Sequence, residues 1–341
     1  MSKKEGESLY EIDKESTRLI EDAIHKQGTD IHFIPQKNHC FVHYRIHGEM
    51  VSQRRLTHHV AERMISHFKY MSGMDIGERR KPQSMAMNMQ STRGLYSLRL
   101  STLPAHGMES MAIRLIPQTT LQSLEALPLI NTQSSKLQRI TKLRNGLVLI
   151  CGPTGSGKTT TLYGMANEII KEHTRSLITI EDPIERMLPS TVQLEVNQRA
   201  GLTFESGLRA ILRHDPDVII VGEIRDQQTA ALAIRAALTG HLVIASIHTT
   251  DAYQAVLRFQ EYGLSKMELA EVCQAIVAQR LVNTIWAHQR ALYEILDGDL
   301  LTSAVVTGTR PIYYELIHSA RKAWALGFIS SGVVKRMEEW T

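Results

Sequence analysis

Leu147-Val148-Leu149-Ile150-Cys151-Gly152-Pro153-Thr154-Gly155-Ser156-Gly157-Lys158-Thr159-Thr160-Thr161 decides how the rest of this 341-residue chain is read. Leu147 to Ile150 are apolar and make a short buried strand. Gly152 to Thr159 then fit G-x-x-x-x-G-K-[ST], and a helical pattern follows. Gly152, Gly155 and Gly157 let the backbone curl so that several N–H groups point at phosphate oxygens. The helix behind them adds the positive end of its dipole. Lys158 can reach the β- and γ-phosphates of a nucleoside triphosphate, and the Thr159 hydroxyl can hold Mg²⁺. Pro153, Thr154, Ser156 and Thr160 complete the loop expected to cradle the phosphates. A plain glycine turn between strand and helix does not require all these positions at once.

Outward from this loop the second half of the chain alternates strand and helix. Strand 147–151 leads to helix 158–171, strand 176–180 to Glu181-Asp182-Pro183, and helix 205–213 to strand 217–221. Helix 226–238 then precedes strand 241–247. Helices are expected near 252–262 and 265–282, and the last sixty residues read as mostly helical. Parallel strands joined by helical crossovers bury both sheet faces, which explains solidly apolar strands. Ligands of such sheets gather at the carboxyl ends of the strands. Two strands here end in an acid. Asp217-Val218-Ile219-Ile220-Val221-Gly222-Glu223 presents Glu223, which can orient or deprotonate an attacking water. Glu181 can support the metal or the water. His248 ends a third strand, where a histidine is either structural or a reporter of the γ-phosphate.

The first half has a different rhythm. A helix is expected at 9–27, strands around 30–35 and 41–46 with a turn at His47-Gly48, and a second helix at 57–71. Strands near 84–90, 95–101 and 110–116 complete a small α+β unit. Pro117 to Ser135 reads as a linker with a short helix inside it. The domains expected are therefore 1–118, a linker over 119–136, and 137–341 with a helical C-terminal region. Arg99 and Arg114 fall on adjacent strands; they are surface arginines by spacing alone, or charge-neutralising groups for phosphoryl transfer. His43 and His47 stand four apart with no acid or cysteine set beside them, so a metal site there is not supported.

Composition narrows the class. The chain is 43% apolar and 22% charged with a net charge of +4 before its fifteen histidines are counted, an ordinary globular balance. No apolar run is long enough to span a bilayer, and Met1 to Glu7 does not read as a secretory signal. Cys40, Cys151 and Cys273 are scattered, so neither a zinc set nor a disulfide framework is visible and a reducing cytosol fits. Aromatics make up 6%, and no basic stripe interleaved with aromatics points to nucleic acid.

Taken together, these motifs resemble the secretion and type IV pilus ATPases. The phosphate loop, Ile180-Glu181-Asp182-Pro183-Ile184-Glu185, Gly222-Glu223-Ile224-Arg225-Asp226, and Gly240-His241 with His248-Thr249-Thr250 follow one another in that family's order. Thr29-Asp30-Ile31-His32 and Lys81-Pro82-Gln83 are similar to its N-domain signatures. Leu98-Arg99-Leu100-Ser101-Thr102 and Ala112-Ile113-Arg114-Leu115 match the segments that carry its arginine pair. The resemblance implies an α/β fold, a RecA-like P-loop ATPase core behind a smaller N-terminal α+β (PAS-like) domain. It also implies a homohexamer that uses ATP and Mg²⁺, with Arg99 and Arg114 engaging the γ-phosphate. The implied partner is a polytopic membrane platform protein, with the chain cytoplasmic and peripheral at the membrane and no direct nucleic-acid binding. Gln279-Arg280-Leu281 matches the family, but the segment after it lacks the tetracysteine loop of type II secretion members, so zinc is not expected. Glu195-Val196-Asn197 and Gly201-Leu202-Thr203-Phe204 look like the assembly branch. The chain starts almost at the second N-terminal domain of longer members, which favours the branch that builds competence pseudopili for DNA uptake in Gram-positive bacteria. Pilus assembly and type II secretion are the alternatives, with a DNA-translocating ring or a non-catalytic nucleotide-binding regulator further off.

Overall fold

A computed structural model describes residues 3–46, 48–105, 108–118, 123–286 and 288–339. It divides into two units, 1–120 and 121–341.

In the first unit, helix α1 (Lys3–His25) is followed by strands β1 (Gly28–Pro35), β2 (Cys40–Ile46) and β3 (Glu49–Leu56). Helix α2 (His58–Ser72) and strands β4 (Gln83–Ser91), β5 (Gly94–Ala105) and β6 (Met108–Pro117) complete it. The strands pair in the order β3-β2-β1-β6-β5-β4, and every pairing is antiparallel. Alternation assigns the faces. Ile31, Phe33, Val42, Tyr44, Leu98, Leu100, Met111 and Ile113 point to one side and are buried with Leu19, Ile24, Met64 and Phe68 of α1 and α2. A buried ion pair crosses this core: Lys69 of α2 donates to both carboxylate oxygens of Glu109 at 3.0 and 2.9 Å and to the Glu78 carbonyl at 2.7 Å. The expected turn at His47-Gly48 falls partly on His47, which lies outside the described residues. Strand β3, which the sequence reading left out, pairs with β2.

The second unit begins with a 3₁₀ turn at Leu124–Ala126 and helix α3 (Asn131–Thr141). The alternation follows as β7 (Gly146–Cys151), α4 (Lys158–Lys171), β8 (Leu177–Glu181), β9 (Val192–Glu195) and α5 (Phe204–Ile211). It continues with β10 (Val218–Val221), α6 (Gln227–Leu238), β11 (Leu242–Ile247), α7 (Ala252–Glu261) and α8 (Lys266–Val272). Strands β12 (Cys273–Asn283) and β13 (Gln289–Asp297) and helices α9 (Gly298–Thr307), α10 (Leu316–Ala325) and α11 (Ser331–Glu338) close the chain. The sheet order is β13-β12-β7-β11-β10-β8-β9, parallel except for β13 against β12. All residues of β7, β8, β10 and β11 are buried.

Two expectations are corrected here. Residues 265–282 are not one helix: α8 stops at Val272 and the chain enters β12. Nor are the last sixty residues mostly helical from their start, since β12 continues into an antiparallel β13 before the three closing helices. The cause is that β12 lies between β7 and β13 and is buried on both sides. Both faces therefore take apolar residues, as Ala275 to Ala278 show, and a short run of that kind does not distinguish a strand period from a helix period. Of the segment read as a linker, residues 119–122 lie outside the described residues, and residues 123–136 fold into this second unit. The Leu129 N–H donates to the Ala291 carbonyl, and the Ala291 N–H to the Leu127 carbonyl, which covers the outer edge of β13.

Candidate active site

The phosphate loop leaves β7 at Cys151 and enters α4 at Lys158. Gly152 and Gly157 have positive φ (154° and 87°), and both press against β12. A Cβ on Gly152 would lie 2.8 Å from the Gln279 carbonyl oxygen, and one on Gly157 2.8 Å from the Gln279 side-chain nitrogen. Only glycine combines that conformation with that approach. Gln279 then ties the loop to its helix: Nε2 donates to the Ser156 carbonyl at 2.7 Å, and Oε1 accepts from the Thr161 hydroxyl at 2.8 Å. Sequence reading noted Gln279 only as part of a family match. Its role was hidden because the residue was expected on a helix.

Thr154 to Thr160 line one wall of a cleft of about 560 Å³. Glu181, Asp182, Gly222, Glu223, Arg225, Ser246 and His248, from the carboxyl ends of β8, β10 and β11, line the other side. Gly152 and Pro153 instead turn their carbonyls to Lys158 Nζ, at 2.7 and 3.1 Å. Lys158 also meets His248 Nδ1 at 3.3 Å, and His248 Nε2 lies 3.0 Å from Glu223 Oε1. An ammonium has no lone pair, so Nδ1 accepts and the Nε2–H donates to Glu223. The other Glu223 oxygen takes the Arg225 guanidinium at 2.8 Å, which in turn reaches Asp182 at 3.3 Å. Burial lowers the Lys158 pKa, with Glu223 opposing it, while the hydrogen bond to Glu223 raises that of Arg225. The structure thus brings Lys158, His248 and Glu223 into one hydrogen-bonded line.

Glu181 sits in a different environment. It is buried and accepts hydrogen bonds from the Thr179 hydroxyl (2.6 Å), from Gln193 Nε2 (3.1 Å) and from the Tyr163 hydroxyl. These three donors take both acceptor sites of Oε1 and one of the two on Oε2. Among the described residues no group of three or more His, Cys, Asp or Glu could hold a metal ion by itself. Oxygen donors are nevertheless what a hard divalent cation takes. Mg²⁺ in nucleotide sites rests on one or two protein groups plus substrate phosphates. Thr159 on the first turn of α4 fits that role.

Arg99 and Arg114 belong to the first unit. They stand directly opposite each other on β5 and β6, and Arg114 is also opposite Asp30, which is opposite Arg45. Arg114 Nε donates to Asp30 at 2.9 Å, and Arg45 lies 3.8 Å away from it. Burial pushes the Asp30 carboxyl up, but hydrogen bonds from Thr29 and Arg114 outweigh it and hold the group below the usual carboxylate range.

The type II/IV secretion system protein family matches residues 5–318. The competence protein ComGA of Bacillus subtilis is 39% identical over 341 residues, covering 94% of this chain and 96% of that one. The protein of the same name from Halalkalibacterium halodurans is 42% identical, over 95% and 98% of the two chains. Type II secretion system protein E of Dickeya dadantii is 36% identical over 89% of this chain but only 61% of its own. Among solved structures, the pilus retraction motor PilT with bound ADP superposes with a TM-score of 0.78 at 26% identity, over 93% and 95% of the chains. The Legionella pneumophila ATPase DotB follows at 0.72 and 24%, over 95% of each, and carries the likeness of fold alone. The fold class expected from sequence, a RecA-like core with a smaller N-terminal α+β domain, is the one observed.

Proposed function

The chain belongs to the type II/IV secretion system protein family, and from that premise we propose that it is a traffic ATPase powering assembly of a type IV-like competence pseudopilus for DNA uptake. The two competence proteins, 39% and 42% identical over 94% and 95% of this chain, support this reading over type II secretion, whose protein E is 36% identical over 89% of it. In this reading it works as a cytoplasmic homohexamer on a polytopic membrane platform protein. No helix among the described residues is long and apolar enough to cross a membrane.

The observation that carries the chemistry is the line Lys158–His248–Glu223 at the phosphate loop. ATP binding draws Lys158 from the Gly152 and Pro153 carbonyls to the β- and γ-phosphates. His248 then loses its bond from Lys158 and is free to report the γ-phosphate. Glu223, held by Arg225, orients the attacking water and takes its proton. Glu181 supports the water or the hydrated metal from its buried position. Thr159 would hold a bound Mg²⁺, which would supply charge neutralisation at the triphosphate. Arg99 and Arg114 are, in this reading, the arginines that the family resemblance assigns to the γ-phosphate.

Steady-state ATP hydrolysis by the purified protein, with and without DNA, tests this beside Glu223→Gln. The variant is expected to keep nucleotide affinity and lose roughly 10²–10⁴-fold in turnover. Near-normal turnover would return Glu223 to a structural role, and strong stimulation by DNA would favour a translocase.

A further inference from the structure

Tyr163 has no place in the chemistry assigned so far, yet its hydroxyl lies at the junction of three parts of the site. The side chain projects from the second turn of α4, five residues after Lys158, and is buried. A phenol has one proton to give and can accept two. The Tyr163 hydroxyl donates to Glu181 Oε2, and it accepts the backbone N–H of Glu185 at 3.2 Å and of Arg186 at 3.1 Å. Its capacity is filled. Burial, with the Glu181 carboxylate beside it, pushes the phenol far above the usual tyrosine range, so the group remains a donor at any working pH.

Among the described residues, the donors to the Glu181 carboxylate are all neutral. Thr179 and Gln193 hold one oxygen and Tyr163 the other. Thr179 is on β8 itself, and Gln193 is on the neighbouring β9. Tyr163 alone of the three comes from the helix that carries Lys158 and Thr159. Residues 185 and 186 belong to the segment that follows Glu181 and runs past the cleft, and Glu185 lines it.

We propose that Tyr163 is a positioning residue that pins the Glu181 carboxylate and the 185–186 backbone to the phosphate-loop helix, so that the acid keeps its place as that helix responds to nucleotide. The inference rests on the reading of the cleft as an ATPase site with Glu181 as its supporting acid.

Tyr163→Phe in the full chain keeps the buried ring and deletes only the hydroxyl. Hydrogen exchange at the Glu185 and Arg186 amides is expected to accelerate about tenfold or more, because both lose their acceptor. Turnover is expected to fall roughly tenfold with KM nearly unchanged, and no further when Glu181→Gln is already present, as for a residue acting through another. Thr179→Val is the companion variant: it removes a different donor from Glu181, so it lowers turnover and leaves exchange at 185 and 186 unchanged. Exchange at those amides close to wild type in Tyr163→Phe overturns the pin. So does acceleration in both variants, or a turnover loss that multiplies with that of Glu181→Gln. An inactive wild-type protein would sink the ATPase reading, while the exchange measurement, which needs no turnover, still decides the pin.

Discussion

The two sheets of this protein expose their chemistry in opposite ways. In the antiparallel sheet of the first unit α1 and α2 pack on one face, so alternate residues fall on the other face along the whole strand. Its polar groups form a row across the strands, Arg45–Asp30–Arg114–Arg99, set by register. In the parallel sheet of the second unit both faces are covered, and the central strands β7 and β10 are apolar throughout. The acids and the histidine of the cleft lie at strand ends, where Glu181, Glu223 and His248 meet the phosphate loop. A sheet with helices on both faces concentrates its chemistry at the strand ends, whereas a sheet with helices on one face spreads it along the strands.

The two units also bury carboxylates differently. Glu109 in the first is paired with Lys69, whose side chain is 1% exposed. Glu294 in the second is met by no cation within the salt-bridge distance among the described residues. It accepts instead from the Ala252 and Leu316 amides, which open α7 and α10 (2.9 Å each), and from the Tyr313 hydroxyl at 2.5 Å.

The largest effect should come from breaking the ion pair. Lys69→Met leaves Glu109 buried and uncompensated and should cost about 3–5 kcal/mol. Urea unfolding would show it, and a loss under 1 kcal/mol would mean that water reaches the pair. In the second unit, Lys158→Ala should weaken ATP binding by about 3 kcal/mol, or roughly two orders of magnitude, through lost charge-assisted bonds to phosphate. Equilibrium titration with a fluorescent ATP analogue measures this, and retained affinity would contradict the phosphate-loop assignment. The fold should melt almost as before, since the site lies past the carboxyl ends of the strands, outside the apolar core.

A smaller effect sharpens the contrast between the two carboxylates. Glu294→Gln should cost about 1–3 kcal/mol at neutral pH, because an amide group would face backbone donors. Burial raises the Glu294 pKa above 4.5, with the bonds from Tyr313, Ala252 and Leu316 opposing it. The folded state therefore holds this proton more tightly than the unfolded chain. The contribution is fully present below 4.5 and is lost as pH rises through the raised value. Wild type should accordingly gain stability over the variant as pH falls from 7 toward 4.5. A difference that stays flat over that range would show that the two helix N-termini fully offset burial.

What could be read from the sequence alone was whatever is contiguous. The phosphate loop is eight successive positions whose backbone geometry and chemistry are local. A run such as Val218 to Val221 ending in Gly222-Glu223 declares a buried strand and its terminal acid without reference to any neighbour. Tertiary structure decided what depends on two distant segments meeting. β12 carried no usable period because burial on both sides erases alternation, and with it went the position of Gln279. The pairing of Lys158 with His248 and Glu223, and the Tyr163 hydroxyl bridging Glu181 to residues 185 and 186, join segments that only the parallel strand order brings together. The arginine row of the first unit likewise exists only through register, because a slip of one residue would move each arginine to the opposite face.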